Sequence, residues 1–270
     1  MAMMTASLQP TALAPTKAGD LAVLDAARGL YVLDHLTGSR HTVVGNFGIY
    51  RALDMTITSN GNQEEYFVSL YRGGSEMLAV VRGYTFDGKV TGEWITRQSI
   101  VAGIGIDGST RRAYLADART PQILTLDLTR SGTSPKTFAS VRGAESLGPL
   151  VFDPTQQQVI VGDVAGGRVF AVTTTTGATV LLADKIGEPS ALALDVTGNR
   201  VLVADAAGHR IFALALKPLK SVLFAALPAF REPRALAIGA GGTIWVGDIR
   251  AQRLFQLTPT GAPLQTLAPR

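Results

Sequence analysis

From Ala191 the chain reads ALALDVTGNRVLVADAAGHRIFAL, and from Ala235 it reads ALAIGAGGTIWVGDIRAQRLFQL. Both stretches alternate apolar and polar positions over short runs, as at Val201, Val203 and Ile211. Alternation with a period of two predicts half-buried β-strands, and the 3.6-residue spacing of an amphipathic helix is absent. Each β-branched run closes on a small residue and an Asp. A turn and a second β run follow.

The same pattern starts at Ile104 (IGIDGSTRRAYLADARTPQILTL) and at Leu150 (LVFDPTQQQVIVGDVAGGRVFAV). Another copy emerges when QPTALAPTKAGDLAVLDAARGLYVLD is set under EPRALAIGAGGTIWVGDIRAQRLFQL. Gln9-Pro10 then falls on Glu232-Pro233, and Asp25 on Asp248. The most diverged copy, MTITSNGNQEEYFVSLYRGGSEMLAVV, carries Leu70 at the Asp position. The markers Asp25, Leu70, Asp117, Asp163, Asp205 and Asp248 are separated by 45, 47, 46, 42 and 43 residues.

A repeat of this length is that of a propeller blade. Each unit divides into four strands, a to d. In the fifth copy they are ALAL, RVLVAD, RIFALAL and SVLFAAL. One such sheet cannot bury both faces by itself, whereas a closed ring of them can. The expected fold is all-β: a six-bladed β-propeller of four antiparallel strands per blade, in one domain over 1–270. The blades span approximately 9–47, 48–100, 101–147, 148–188, 189–232 and 233–270. Because the chain enters on strand a and leaves on strand d, each blade is expected to be continuous in sequence. The ring then closes by packing, with no shared strand. The segment Ala2–Ser7 is left to add to an outer edge.

The stretch GNRVLVADAAGHRIFAL resembles the NHL repeat, through Gly208-His209-Arg210-Ile211 and, more weakly, Gly167-Arg168-Val169 and Gln252-Arg253-Leu254. A more distant resemblance is to regucalcin- and gluconolactonase-like propellers. These likenesses imply the propeller fold. They leave function open, since such propellers include lyases, lactonase relatives, RNA binders and interaction scaffolds.

Composition removes several chemistries. The chain has no cysteine, so disulfides, thiolate catalysis and Cys-based zinc sites are out. Its formal net charge is +4, from 25 basic and 21 acidic residues. No basic run marks a nucleic-acid arm, so RNA binding across a basic face is a third-ranked reading. No apolar run reaches the roughly 18 residues of a membrane span. The start MAMMTASLQP lacks the pattern of a signal peptide. Met1-Ala2-Met3 is compatible with a removed leader, and the location favoured is extracytoplasmic, periplasmic or secreted.

The recurring Asp suits a turn, where its carboxylate accepts backbone N–H groups. An Arg five residues later, at Arg168, Arg210 and Arg253, or Gln122 in the third copy, re-enters within reach. As an exposed pair it is expected to contribute about 0–1 kcal/mol. His209 belongs to this turn. His35 and His41 flank the c–d turn of the first blade, expected on the outer rim. No zinc-type spacing and no GxSxG elbow occurs, and no catalytic residue, metal or cofactor is assigned.

Two features point toward binding. Gln9, Glu145, Glu188 and Glu232 precede strand a in four blades, where linkers reach the channel mouth. A ring of carboxylates there suits Ca²⁺, which takes six to eight oxygens, and the regucalcin likeness implies a metal at that place. This supports an alternative function: a metal-dependent lactonase-, hydrolase- or lyase-like enzyme. The plainer reading is that Glu-Pro starts a blade. The second feature is an aromatic concentration between Phe47 and Trp94, including Tyr50-Arg51 and Tyr71-Arg72 in segments expected to face the same side. Tyr and Arg are favoured at binding hot spots, and the loss of the marker Asp at Leu70 shows the repeat rule relaxed there. The function favoured is a non-catalytic binding propeller. It presents Tyr50, Arg51, Tyr71 and Arg72, on the face of the b–c turns, to a protein, peptide or small ligand.

Overall fold

A computed structural model describes residues 8–35, 37–74, 77–97 and 99–267. The segment proposed for an outer edge, Ala2–Ser7, lies outside them. The described residues form six four-stranded antiparallel sheets, each continuous in sequence. Blade 1 comprises β1 (Pro10–Pro15), β2 (Leu21–Asp25), β3 (Gly29–Leu33) and β4 (Arg40–Val44). Blade 2 comprises β5 (Arg51–Asn60), β6 (Gln63–Arg72), β7 (Leu78–Tyr84) and β8 (Val90–Arg97). Blade 3 comprises β9 (Val101–Asp107), β10 (Arg112–Asp117), β11 (Gln122–Asp127) and β12 (Lys136–Ser140). Blade 4 comprises β13 (Leu147–Asp153), β14 (Gln158–Asp163), β15 (Arg168–Thr173) and β16 (Thr179–Ala183). Blade 5 comprises β17 (Pro189–Asp195), β18 (Arg200–Asp205), β19 (Arg210–Leu216) and β20 (Leu219–Ala225). Blade 6 comprises β21 (Pro233–Ile238), β22 (Ile244–Asp248), β23 (Arg253–Leu257) and β24 (Pro263–Leu267). One 3₁₀ turn, Ala240–Gly242, is the sole helical element among the described residues, and no helix is long and apolar enough to cross a membrane.

The alternation along each strand produces two apolar faces per blade, and every face is buried against a neighbour. A separate core fills each of the junctions between blades 1 and 2, 2 and 3, 3 and 4, 4 and 5, and 5 and 6. The last junction closes the ring: Leu8, Leu13, Val23 and Tyr31 pack on Ala235, Ala237 and Leu254. Among the described residues closure therefore rests on side-chain packing, with no strand crossing between blades. Each buried Val or Leu contributes about 1.5–3 kcal/mol to it.

The recurring Asp is a staple. Asp205 is fully buried. It accepts the Gly208 N–H of the b–c turn (2.9 Å), the Glu188 N–H of the incoming linker (3.0 Å) and the Arg210 Nε–H (2.9 Å). Asp163 does the same with Gly166, Glu145, Ser146 and Arg168. Asp25, Asp117 and Asp248 likewise bind N–H groups of both turn and linker. This corrects the expectation of an exposed pair: the carboxylates of Asp163 and Asp205 are sequestered, while their arginines are partly exposed. Among the described residues the Arg reaches its Asp in blades 4 and 5 only; Gln122 accepts from Thr137 instead. Gly187 must be glycine, because a Cβ there would collide with the Asp205 carboxylate.

The fourth residue after the marker Asp is left-handed: Gly29 (φ 83°), which opens β3, and Gly167 (φ 64°), His209 (φ 53°) and Gln252 (φ 55°), which end their b–c turns. His209 is thus a turn residue carrying a conformation that costs a side chain about 1–2 kcal/mol. His209→Gly should raise stability by about 0.5–1 kcal/mol, part of the gain being lost to unfolded-chain entropy. A urea midpoint that falls would contradict this.

Candidate functional site

The innermost strand of each blade lines a central channel of about 640 Å³. Every one of these strands shifts register near its start: at Thr11, Leu53, Ala102, Gly148-Pro149, Ser190 and Arg234. The extra residue of a β-bulge re-aims its side chain, and Thr11, Leu53, Ala102, Pro149, Ser190 and Arg234 all line the channel. They mark its linker mouth. The wall then runs through apolar side chains to Asp107, Ser109 and Gln157 at the opposite mouth, that of the a–b turns. The linker mouth is two-sided, with Thr11, Ser190 and Arg234 on one arc and Leu53, Ala102 and Pro149 on the other.

The glutamates before strand a do not form an open ring. Arg234 donates from Nε to Glu232 (2.6 Å) and from Nη2 to Glu188 (2.9 Å). Burial works against the Arg234 charge, but these two carboxylates outweigh it and hold its pKa above the ordinary value. Glu145 stands one residue before the equivalent position, taken by Ser146, and pairs with Arg168 at 3.2 Å. Gln9 is equivalent to Glu188 by register. These residues do not fit Ca²⁺: guanidinium groups occupy the carboxylates. Among the described residues no three His, Asp or Glu side chains converge as a metal site would require.

The register places Arg51 at the same rim position in blade 2, paired with Tyr71. Tyr71 and Arg72 end strand β6 and do not belong to the turn beyond it. Arg51 is exposed, and Tyr71 and Arg72 are half-buried. Tyr50 turns inward: it packs on the core between blades 1 and 2, with the Arg82 guanidinium 5.7 Å over its ring. The register thus brings Arg51 and Tyr71 opposite one another, with Arg72 next in the strand, whereas Tyr50 is committed to the core contact. His35 pairs with Asp20 at 2.7 Å, and His41 stacks on Phe86 at 4.0 Å, both away from the channel wall.

Asp54, which sequence reasoning passed over, is the distinctive group of the wall. By register it occupies the place held by Ala12, Gly103, Ala191 and Ala235 in other blades. A column of small residues interrupted by one carboxylate was the available signal. It was hidden in the most diverged copy. Its partner across the sheet is Ser69, whose hydroxyl accepts the Asp54 N–H (3.0 Å). The Asp54 carboxylate accepts the N–H of Ile104 in blade 3 (2.9 Å). Confinement in the wall pushes its pKa from 3.8 up to about 7, against the lowering effect of the Ile104 and Met55 N–H groups. The side chain is enclosed by neighbouring strands yet keeps contact with the lumen. At the other mouth burial would raise Asp107, but bonds from Ser109 and Thr110 outweigh it and hold it below the ordinary range.

Folding raises the Asp54 pKa, so the native state takes up a proton. Its contribution to stability is present at low pH and is lost as pH climbs from about 4 to about 7. A full shift of that size corresponds to about 4 kcal/mol. Because the lumen side is open to water, about 2 kcal/mol is expected. Asp54→Asn should therefore be about 2 kcal/mol more stable than the parent at pH 8.5 and equal to it at pH 3, below the ordinary carboxyl range. Equal stability at both pH values in denaturant titrations would contradict this assignment.

No family model matches the sequence, and no curated protein does. Similar solved structures exist. A chain of a nidogen/laminin complex has a TM-score of 0.74 at 12% identity, with 93% of each chain covered. A structural genomics protein of unknown function from Bacteroides thetaiotaomicron has a TM-score of 0.73 at 12% identity, covering 93% of this chain and 70% of that one. A streptogramin B lyase has a TM-score of 0.71 at 14% identity, covering 99% of this chain and 85% of that one. At these identities the likeness is one of fold. It joins proteins of binding, catalytic and unknown function.

Proposed function

We propose that this chain is a non-catalytic, NHL-type binding propeller whose principal ligand site is the axial channel entered at the linker mouth. The observation that carries the reading is the channel itself: about 640 Å³, walled by all six inner strands, largely apolar, with a few convergent polar groups. That is the size and character of a small-molecule site. The mouth glutamates are committed to Arg234 and Arg168, which supports binding over metal-assisted chemistry. Arg51, Tyr71 and Arg72 border the same face and offer contacts to a larger ligand or a protein partner. Asp54 favours a second reading, a hydrolase- or lyase-like enzyme, since a carboxyl near 7 suits a general acid–base.

A thermal-shift screen of small molecules, followed by mass analysis of recovered hits, separates these readings. Ala102→Trp should narrow the mouth and abolish the stabilisation by channel ligands while leaving the ligand-free melting temperature within a few degrees. Hits should be recovered chemically unchanged. Turnover of a hit would establish the enzymatic reading. Hits insensitive to Ala102→Trp but lost in Tyr71→Ala would move the site to the face of blade 2.

A further inference from the structure

The channel has a charge balance opposite to that of the whole chain. The chain is +4. Among the described residues, the charged groups of the channel wall are Asp54, Asp107 and Arg234. Arg234 is held by Glu188 and Glu232. The wall itself thus carries two carboxylates, Asp54 and Asp107, against one guanidinium that Glu188 and Glu232 already neutralise at the mouth, and its low-dielectric surroundings focus the field of the carboxylates.

We propose that the channel takes a cationic amphiphile, a primary alkyl- or arylalkylammonium, with its nitrogen at Asp54 and its apolar tail directed along the wall toward the a–b mouth. The inference rests on the channel being the ligand site. Asp54 is placed for this role at a level where neighbouring blades offer only small residues, which leave room beside it. Backbone N–H groups of Ile104 and Met55 orient the carboxylate, and among the described residues no cationic side chain shares it. Below it the wall is apolar, through Met55, Ile57, Ile106, Leu194 and Ile238. A confined carboxylate gains most from an ammonium that enters with it, since each charge then offsets the other's lost hydration. An anionic ligand would instead meet the carboxylates, and a neutral one would leave Asp54 without a counter-charge.

Binding should depend on the protonation of Asp54, because among the described residues the only other charged side chains that line the channel are Asp107 and Arg234, and the Asp25 carboxylate of neighbouring β2 is turned to the N–H groups of its own turn and linker. Strand β6 presents Ser69 to it. Strand β1 carries no ionisable side chain, and β9 carries only Asp107, at its far end. Across the channel the one charged group is Arg234, already paired.

The test is calorimetric titration of the full chain with n-hexylammonium, n-hexanol and hexanoate at pH 6 and pH 8.5. Hexylammonium should bind about tenfold or more tightly than hexanol at pH 8.5, as expected for a charge-assisted bond in place of a neutral one. Its advantage should shrink at pH 6, where Asp54 holds its proton. Asp54→Asn should bring hexylammonium to the level of hexanol and leave hexanol unchanged. If that variant fails to fold, the pH dependence of hexylammonium binding in the parent carries the test. Equal binding of amine and alcohol, lost together in Ala102→Trp, would overturn the ammonium specificity and leave the channel as the site. Binding of none of the probes, or binding indifferent to Ala102→Trp, would overturn both.

Discussion

Asp205→Ala should lower stability by about 3 kcal/mol and the melting temperature by roughly 6–12 °C. The carboxylate is fully buried. Its loss strands the N–H groups of Glu188 and Gly208 and the Nε–H of Arg210. Each bond to a charged acceptor is worth about 1.5–3 kcal/mol, and water can re-enter to meet part of that cost. Arg210→Ala should cost under about 1 kcal/mol, since that side chain is 40% exposed and its charge is screened. Restoring the repeat rule in blade 2 should also destabilise. Leu70 is fully buried in the core between blades 1 and 2, and Leu70→Asp would bury a charge among apolar neighbours. Chemical denaturation of the three variants checks this ordering. An Asp205→Ala change no more costly than Arg210→Ala would mean that the Asp does not staple turn to linker.

Arg111→Met should cost a comparable amount, about 3 kcal/mol or more, while Glu65→Leu/Arg111→Met should return to within about 1 kcal/mol of the parent. Glu65 of β6 is only 5% exposed, and it joins blade 2 to Arg111 in the a–b turn of blade 3. The two groups approach to 2.5 Å but lie off the line of a hydrogen bond. Arg111 also lies 5.7 Å over the Phe67 ring. Removing one partner leaves a buried charge alone, whereas replacing both removes the desolvation cost with the attraction. A double-mutant cycle in urea reads the difference. Additive losses would show that the pair is not coupled.

The ring was legible because the repeat imposes the same demands on every blade. The Asp markers and the alternating strands predict the blade order, which the sheets of the described residues follow. The Arg234 clamp was not legible, because Arg234 enters as an extra residue in a bulge, and bulges do not announce themselves in an alternating pattern. Glu145 stands one place upstream of the positions of Glu188 and Glu232 because Ser146 intervenes before β13, an offset that the register shows and the repeat spacing does not. The burial of the turn Asp was misread since a turn usually implies solvent, whereas here the linker folds over it. The linker position of Tyr50 suggests a place on the binding face, but its half-buried ring packs against the core between blades 1 and 2. Asp54 was missed for a simpler reason: a lone acidic residue on an inner strand gains meaning only when the inner strands of the other blades are set beside it.

The claim on which the functional account turns is that ligands enter the axial channel. Crystals soaked with 6-bromohexan-1-ol would test it through the anomalous signal of bromine. The account predicts a bromine peak on the channel axis between Asp54 and the a–b mouth. Bromine found only on the exposed apolar side chains of the outer strands, such as Val180 of β16 or Leu223 of β20, with the channel holding none, would contradict it.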